Sequence, residues 1–282
     1  MNNWIILVII YAMFNGFFQC TKKKAVKKTS IYEILFWVSV LTMLLSFISC
    51  NNVYNINSNE IFLIILKSFG TAGSWLFSLM ALKRMPVGLY SIINLSSVVF
   101  SIILSILLLG ETISIISIIG VFIVFLGIIF VNKDAINNKK EKIKKSSIFL
   151  VLLVAFCNAF NGILDKQIMR TVTAEQLLFW YSYFVTIIFT IVILYKKEKI
   201  KFRSCYKNYW IVLTALILFF GDKILFLANQ MPNSKVFVMT LVKKLSVIEV
   251  IILGKIMFKE KNILKKLAFS LFIILGIVLT II

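Results

Sequence analysis

Two adjacent lysines interrupt an apolar stretch near the end of the chain. The segment 232–253 reads PNSKVFVMTLVKKLSVIEVIIL, which is long enough to cross a membrane, and it carries Lys243 and Lys244 near its middle. A charged side chain at the bilayer centre costs at least ~2.5–3.5 kcal/mol on insertion scales. The pair therefore indicates a functional site, and the competing interpretation is a lysine that only holds helices together.

Polar side chains also recur at helical spacing in two other apolar segments. Asn158, Asn161 and Asp165 fall at i, i+3 and i+7, on one face of a helix. Asn15 and Gln19 occupy the matching positions of the first apolar segment. These faces predict two polar walls of a cavity. The alternative is hydrogen bonding between helices, worth about 0.6–2 kcal/mol per pair, and Asp165 is placed near its helix end.

Asp222 and Glu249 are the other acids within apolar sequence; Glu249 is predicted to point away from Lys244, and the neighbour of Asp222 is Lys223. Adjacent residues point about 100° apart on a helix, so these two cannot face one spot. Asp222 is predicted to pair with Lys243 or Lys244 while the other lysine faces the cavity. A cavity ammonium would attract a carboxylate or a phosphate. Lys67 is close enough to a helix end to snorkel.

Aromatic residues near the start of the seventh apolar segment could shape the pocket. Trp180, Tyr181 and Tyr183 are candidates, with Trp180 and Tyr183 selected, and they would stack on a ring or a quaternary amine of a substrate. Because they lie only a few positions from the predicted helix start, an interfacial aromatic belt competes with this interpretation.

The composition identifies the class of protein. Hydrophobic residues make up 61% of the chain, against roughly 45–50% in a soluble domain, and apolar runs of about 20 residues recur throughout. We therefore predict an all-α integral membrane protein. The chain has no histidine and its four cysteines are scattered, so we predict no metal, no cofactor and no enzymatic activity.

The apolar runs predict ten transmembrane helices in two groups of five. A basic cytoplasmic linker, 132–146, separates a first unit, 1–131, from a second, 147–282. The predicted helices span 3–20, 31–50, 60–82, 86–109, 113–131, 147–165, 175–195, 208–229, 232–254 and 263–282.

The net charge of +20 comes from basic residues in the connecting loops. This distribution predicts the membrane topology and does not indicate a nucleic-acid partner. The odd-numbered connections hold 24 Lys and Arg residues, and the even-numbered ones hold 3. Because cytoplasmic loops accumulate Lys and Arg, the odd connections are predicted in the cytoplasm and both termini outside.

The two halves repeat each other in order. FNG at 14–16 recurs at 160–162, LFW at 35–37 recurs at 178–180, Met85-Pro86 recurs as Met231-Pro232, and a Glu stands sixteen residues before a Gly at 111 and again at 260. Because each unit has an odd number of helices, the second must insert upside down. Inverted repeats are typical of secondary transporters, with the substrate near the midplane.

With these features the chain resembles the drug/metabolite transporter superfamily, specifically its EamA-type members. The residues that carry the resemblance are LLLGETISIISIIGVFIVFLGIIFV (107–131) and MFKEKNILKKLAFSLFIILGIVLTII (257–282). The resemblance implies a central cavity, alternating access and solute export. VMTLVKKLSVI (238–248) is also similar to the ninth helix of nucleotide-sugar transporters, which favours an anion or zwitterion.

The predicted function is therefore a secondary transporter that exports a small metabolite across the cytoplasmic membrane. The alternatives within transport are an organophosphate or nucleotide-sugar exchanger and a lipid-linked sugar flippase. A structural or signalling membrane protein is the alternative outside transport. The expected partners are a small-molecule substrate and the lipid bilayer, with proton or ion coupling left open and a monomer or homodimer as the assembly.

Overall fold

The structure is a computed structural model that describes residues 3–50, 56–110, 114–116, 118–123, 126, 145–198, 200, 202–231, 233–260 and 263–281. Regular secondary structure in this part of the chain is helical, without a strand. The helices are α1 (Asn3–Val26), α2 (Ile31–Ser49), α3 (Ser58–Arg84), α4 (Val87–Ile93), α5 (Ser97–Leu104), α6 (Lys145–Ile168), α7 (Ala174–Lys196), α8 (Phe202–Lys207), α9 (Tyr209–Gln230), α10 (Val236–Lys243), α11 (Ser246–Phe258) and α12 (Ile263–Ile281).

Seven spans within the described residues are long and apolar enough to cross a membrane. This finding confirms the prediction of an all-α protein with several membrane-spanning helices. The predicted helix over 113–131 and the linker over 132–146 lie mostly outside the described residues, so they stay predictions.

Short polar motifs begin several of these helices. The Ser30 side chain accepts a hydrogen bond from the backbone N–H of Glu33 at the start of α2. At the start of α7, Thr173 and Gln176 form a capping box, in which each side chain binds the other residue's backbone N–H. Such caps satisfy backbone donors that the first helical turn leaves without partners.

Two membrane segments are broken near their middle, where the sequence predicts continuous helices. The predicted helix over 86–109 consists of α4, a 3₁₀ turn over Asn94–Ser96, α5 and a π-helical turn over Ser105–Leu109. The predicted helix over 232–254 consists of α10 and α11, which are separated at Lys244 and Leu245. The span predicted over 86–109 is present as Val87–Leu109, and neither irregular turn contains a proline.

The first and third segments of each half pack reciprocally across the molecule. α1 packs against α9, and α3 packs against α6 in the same way. α1 also contacts α11, as α6 contacts α5, and α2 lies against α7. Each half therefore supplies helices that surround the first helix of the other half, with a space enclosed between them.

Helix α1 extends further than the sequence predicts. It ends at Val26 and not at residue 20, so the basic residues Lys22, Lys23 and Lys24 belong to the helix and not to a connecting loop. Lys22 is only 5% exposed. The assignment of Lys22 to a solvated basic loop is therefore wrong, because its side chain turns into the protein.

Candidate functional site

A cavity of about 140 Å³ lies between the two halves of the protein. Helices α1, α3, α4, α6, α7, α9 and α10 all contribute to its wall. Six of the eight side chains that the sequence singles out for substrate binding line it, namely Asn15, Asn158, Asn161, Asp222, Lys243 and Lys244. Trp180 and Tyr183 do not line it.

The asparagines of the polar walls also bind neighbouring helices. Asn15 donates a hydrogen bond to Ser246 Oγ at 3.2 Å, and Asn158 accepts one from Ser74 at 2.7 Å. The Asn161 amide lies 3.2 Å from the Thr71 hydroxyl. All three contacts join the two halves, so cavity lining and helix–helix hydrogen bonding are both true of these residues.

One close approach depends on a glycine. A Cβ atom on Gly70 of α3 would collide with the Asn161 side chain. Glycine at this position therefore lets the amide of α6 lie against the backbone of α3. Gly70 thus positions a cavity side chain as well as letting two helices pack closely.

A buried ion pair lies at one end of the cavity. The Lys67 ammonium lies 2.5 Å from Asp165 Oδ1, and the two residues are 4% and 5% exposed. The same ammonium lies 4.9 Å from the Tyr181 ring centre. The expectation that Lys67 snorkels is therefore wrong, because a carboxylate of the opposite half holds it inside.

Asp222 shares this end of the cavity but does not pair with Lys243 or Lys244. Its Oδ2 accepts a hydrogen bond from the Tyr181 hydroxyl instead, and none of the ion pairs between described residues includes Asp222. The predicted pairing of Asp222 with one of these lysines is wrong for that reason. Lys223 points elsewhere, to Glu175 at 2.8 Å, as the helical spacing predicts.

The two lysines at the break between α10 and α11 have different neighbours. Lys243 lies 5.8 Å from the centre of the Tyr11 ring, and Tyr11 and Asp222 line one small recess beside the cavity. Lys244 donates a hydrogen bond to the backbone carbonyl of Asn94 at 3.1 Å. Because Asn94 begins the 3₁₀ turn of the other broken segment, the two breaks meet at this contact.

Lys22 also lines the cavity. It donates a hydrogen bond to Ser78 Oγ at 2.6 Å, and Ser78 in turn contacts the Tyr90 hydroxyl at 2.8 Å. Tyr90 and Asn94 are one helical turn apart, about 6 Å along the axis. We name Lys22, Ser78, Tyr90, Asn94 and Lys244 the lysine end of the cavity.

The opposite end contains Lys67, Asp165, Tyr181 and Asp222, and we name it the paired end. Lys67 and Ser78 are eleven residues apart on α3, so their Cα atoms lie about 16 Å apart along that helix. Sequence reasoning missed Lys22, Ser78 and Tyr90 as cavity residues, and it named Tyr181 only among the aromatic residues that could line a pocket. A signal for Lys22 was available, since a helix over 3–26 places Asn15, Gln19 and Lys22 at i, i+4 and i+7.

Trp180 and Tyr183 belong to an aromatic cluster on the outer side of α7. Tyr183 is 38% exposed, and its ring lies 5.8 Å from the Trp180 ring and 6.1 Å from the Phe179 ring. This position matches the interfacial belt that competes with a binding role. Their role in shaping the pocket stays a prediction.

Glu249 faces away from the lysine pair, as the spacing predicts. It lines a second, apolar groove between α1 and α11, and a Cβ atom on Gly16 would collide with its carboxylate. Asn15 lines the cavity, Ser246 lines this groove, and the hydrogen bond between them lies where the two approach each other.

Comparisons with known proteins agree with this architecture. The EamA-like transporter family matches the chain twice, over residues 2–133 and over residues 145–282. A solved structure described as "Crystal structure of protein" has a TM-score of 0.67 at 11% identity, over 99% of this chain and 95% of its own. That similarity concerns the fold alone. No curated protein matches the chain.

Proposed function

The chain belongs to the EamA-like transporter family, and on that premise we propose that it exports a small metabolite across the cytoplasmic membrane by alternating access. Members of this family are membrane transporters and not enzymes, which confirms the assignment to the drug/metabolite transporter superfamily and the expectation of no enzymatic activity. A membrane transporter sits in lipid and binds a small-molecule substrate. The direction of transport and the mechanism are parts of the proposal.

The proposed architecture is ten transmembrane helices in two inverted repeats. Support comes from the two family matches and from the reciprocal packing of α1 against α9 and α3 against α6. The breaks in the fourth and ninth segments support it further, because discontinuous helices at the repeat interface are typical of transporter binding sites.

The proposed orientation places the basic odd-numbered connections in the cytoplasm. It rests on the excess of 24 basic residues over 3 in the connections, and assigning Lys22, Lys23 and Lys24 to α1 lowers the larger count only by three. Modification of an introduced cysteine by a reagent that does not cross the membrane would test it. We expect Lys235→Cys to react from outside intact cells and Lys83→Cys only after lysis.

The observation that carries the transport proposal is a polar cavity whose walls are joined across the two halves. Lys67–Asp165, Asn15–Ser246 and Lys244–Asn94 are all such contacts. Alternating access moves one repeat against the other around a fixed site, so contacts of this kind must break and re-form. Polar contacts suit that task better than interdigitated apolar side chains.

Reconstitution in lipid vesicles tests the proposal. Vesicles loaded with a mixture of small metabolites would be analysed by mass spectrometry for solutes that leave only when the protein is present. We expect at least one solute to leave, and to leave more slowly with Lys243→Ala plus Lys244→Ala. Equal loss from empty and protein-bearing vesicles would contradict transport and favour a structural or signalling role.

An exchanger of organophosphates or nucleotide sugars is the second candidate. The observation that favours it is the basic pair Lys243 and Lys244 beside Ser246, all close to the cavity. Uptake into vesicles that requires a counter-substrate inside would distinguish exchange from one-way export. Movement of a labelled lipid-linked sugar between leaflets would identify a flippase instead.

A further inference from the structure

We propose that an anionic phospholipid of the surrounding bilayer binds along α1 and α11, with an acyl chain in the apolar groove between these helices and its phosphate against Lys24 and Lys27. No residue lines both this groove and the central cavity. The inference goes beyond the proposed function, because it concerns a lipid that stays bound and not a solute that crosses the membrane.

The groove between α1 and α11 suits an acyl chain. It has a volume of about 450 Å³, and it is lined by Ile9, Met13 and Phe17 from α1 and by Ile252 and Leu253 from α11. Four of these side chains, those of Ile9, Met13, Phe17 and Ile252, are between 42% and 58% exposed. Because both helices belong to membrane segments, exposed apolar side chains at this depth face the hydrocarbon of the bilayer.

The two helices lie side by side and run in the same direction. Near the middle of α1, Gly16 lies against the Glu249 side chain of α11. Toward the end of α1, the Lys24 ammonium lies 5.1 Å from the ring centre of Phe258, the last residue of α11. The groove between the helices therefore leads to the end where Lys24 and Phe258 meet.

Lys24 is on the side of α1 that lines the groove. It follows Phe17 by seven residues and Met13 by eleven, which are spacings that return to one face of a helix. Its ammonium also lies 5.8 Å from the centre of the Trp210 ring. Tryptophan is enriched at the level of the lipid headgroups, so this end of the groove lies where a phosphate would be.

Three ammonium groups surround the Phe258 ring at this end. Those of Lys23, Lys24 and Lys27 lie 4.9, 5.1 and 5.2 Å from its centre. Because two of these distances end at one point, the nitrogens of Lys24 and Lys27 are at most 10.3 Å apart, the sum of 5.1 and 5.2 Å. The positive charge is therefore concentrated at the end of the groove.

Only part of this charge is compensated within the described residues. Glu260 pairs with Lys23 at 3.3 Å, whereas Lys24 and Lys27 belong to none of the ion pairs that these residues form. Like charges three residues apart on a helix repel each other. A lipid phosphate beside them would offset that repulsion, as basic clusters at the ends of membrane helices attract anionic headgroups.

The acid in the groove lies away from the proposed phosphate position. The Glu249 carboxylate lies against Gly16, which precedes Lys24 by eight residues, or about 12 Å along α1. It therefore lies at the depth of the acyl chain and does not compete with the phosphate for Lys24 or Lys27.

The test compares phosphatidylglycerol with phosphatidylcholine of the same acyl chains, and with glycerol 3-phosphate, which has the acid group without the chains. Binding to the purified protein would be measured by native mass spectrometry and by the thermal unfolding midpoint. We expect phosphatidylglycerol to bind and to raise the midpoint, and the other two probes to do neither. Lys24→Gln plus Lys27→Gln should weaken binding roughly 25-fold, about fivefold for each lysine.

Two double variants serve as controls. Lys196→Gln plus Lys197→Gln removes two exposed lysines at the end of α7 and should leave binding unchanged. Lys24→Arg plus Lys27→Arg keeps the charge and should retain most of the binding. An equal loss of binding in the α7 variant would show attraction to the whole basic surface and would overturn the site.

A photoreactive group on the acyl chain of phosphatidylglycerol tests the groove itself. We expect peptides that contain residues 9–17 and 252–253 to be labelled, and labelling to fall in Lys24→Gln plus Lys27→Gln. Glycerol 3-phosphate that binds as tightly as the lipid, phosphatidylcholine that binds as tightly as phosphatidylglycerol, or labelling confined to other helices would each overturn the proposal. None of these results depends on whether the protein transports a solute.

Discussion

The two ends of the cavity bury charge in opposite ways. At the paired end, Lys67 lies 2.5 Å from Asp165, and Tyr181 donates a hydrogen bond to Asp222. At the lysine end, Lys22 and Lys244 bind only a hydroxyl and a carbonyl. The Lys67–Asp165 pair therefore joins two helices through opposite charges, whereas Lys22 and Lys244 join helices through neutral groups.

The comparison gives each end a different expected response to mutation. Substituting one member of a buried ion pair leaves the other charge uncompensated, so substitutions at the paired end should lower the free energy of unfolding. Removing a buried ammonium that has no counter-charge removes a desolvation cost. Substitutions at the lysine end should therefore impair transport without lowering the free energy of unfolding.

The largest effect should follow from Asp165→Asn. The amide cannot compensate the Lys67 ammonium, so we expect a loss of about 3–5 kcal/mol in the free energy of unfolding, seen as a lower midpoint in thermal or denaturant unfolding. The double variant Lys67→Met plus Asp165→Leu replaces both charges with apolar groups and should recover most of that loss. If Asp165→Asn were as stable as the native chain, the paired end would not be a structural pair.

Lys22→Met should change stability in the other direction. It removes a buried ammonium that no carboxylate of the described chain compensates, and the methionine side chain fills similar space. We expect the free energy of unfolding to stay equal or to rise by about 1–4 kcal/mol, while transport falls.

Denaturation of Lys22→Met beside the native protein, together with the vesicle assay, measures both quantities. Lys28→Met is the matched control on the exposed side of the same region, and it should alter neither. A Lys22→Met protein that unfolds several degrees earlier would show that the lysine end is structural, like the paired end.

Glu260 offers an intermediate case, because it compensates the lysine next to Lys22. Its carboxylate lies 3.3 Å from Lys23 Nζ and accepts hydrogen bonds from the backbone N–H groups of Val87 and Gly88 at 2.7 and 3.3 Å. It therefore joins the end of α11 to the start of α4, where a carboxylate also suits the helix dipole.

Glu260→Gln should cost about 1–3 kcal/mol in the free energy of unfolding, since it weakens bonds to charged groups and keeps one acceptor for the α4 cap. Glu175→Gln is a matched control, because its pair with Lys223 is about one-third exposed and should matter by less than about 1 kcal/mol. Equal losses in the two variants would mean that burial does not set the strength of these pairs.

Sequence reasoning identified the helical membrane class and six of the residues that line the cavity. It failed for the partners of long side chains and for the positions of helix ends. Asn15, Asn158 and Asn161 follow from helical spacing, since polar residues in a membrane must face the interior. The hydrogen-bond partner of Asp222 cannot be predicted in this way, because the linear sequence gives no reason to prefer Tyr181 over Lys243 or Lys244. Only the packing of α7 against the other helices selects the tyrosine.

The breaks in the two segments could not be predicted from the sequence either. Neither Asn94–Ser96 nor Lys244 and Leu245 contains a proline or glycine, so local propensity favours a continuous helix there. What the structure shows at this place is a contact across the molecule, from Lys244 to the carbonyl of Asn94. Sequence patterns within one helix carry no information on such a contact.

The smallest predicted effects compare Tyr181 with Tyr183, two residues apart on α7. Tyr181→Phe removes the donor to buried Asp222, so we expect a loss of about 1–3 kcal/mol in the free energy of unfolding and altered transport. Tyr183→Phe removes a hydroxyl from a residue that is 38% exposed on the outer face. It should change the free energy of unfolding by less than about 0.5 kcal/mol and leave transport unchanged. Both variants would be measured by the same denaturation and vesicle assays. A strong transport defect in Tyr183→Phe would restore the interpretation of Trp180 and Tyr183 as pocket residues and would require the cavity to extend to the outer side of α7.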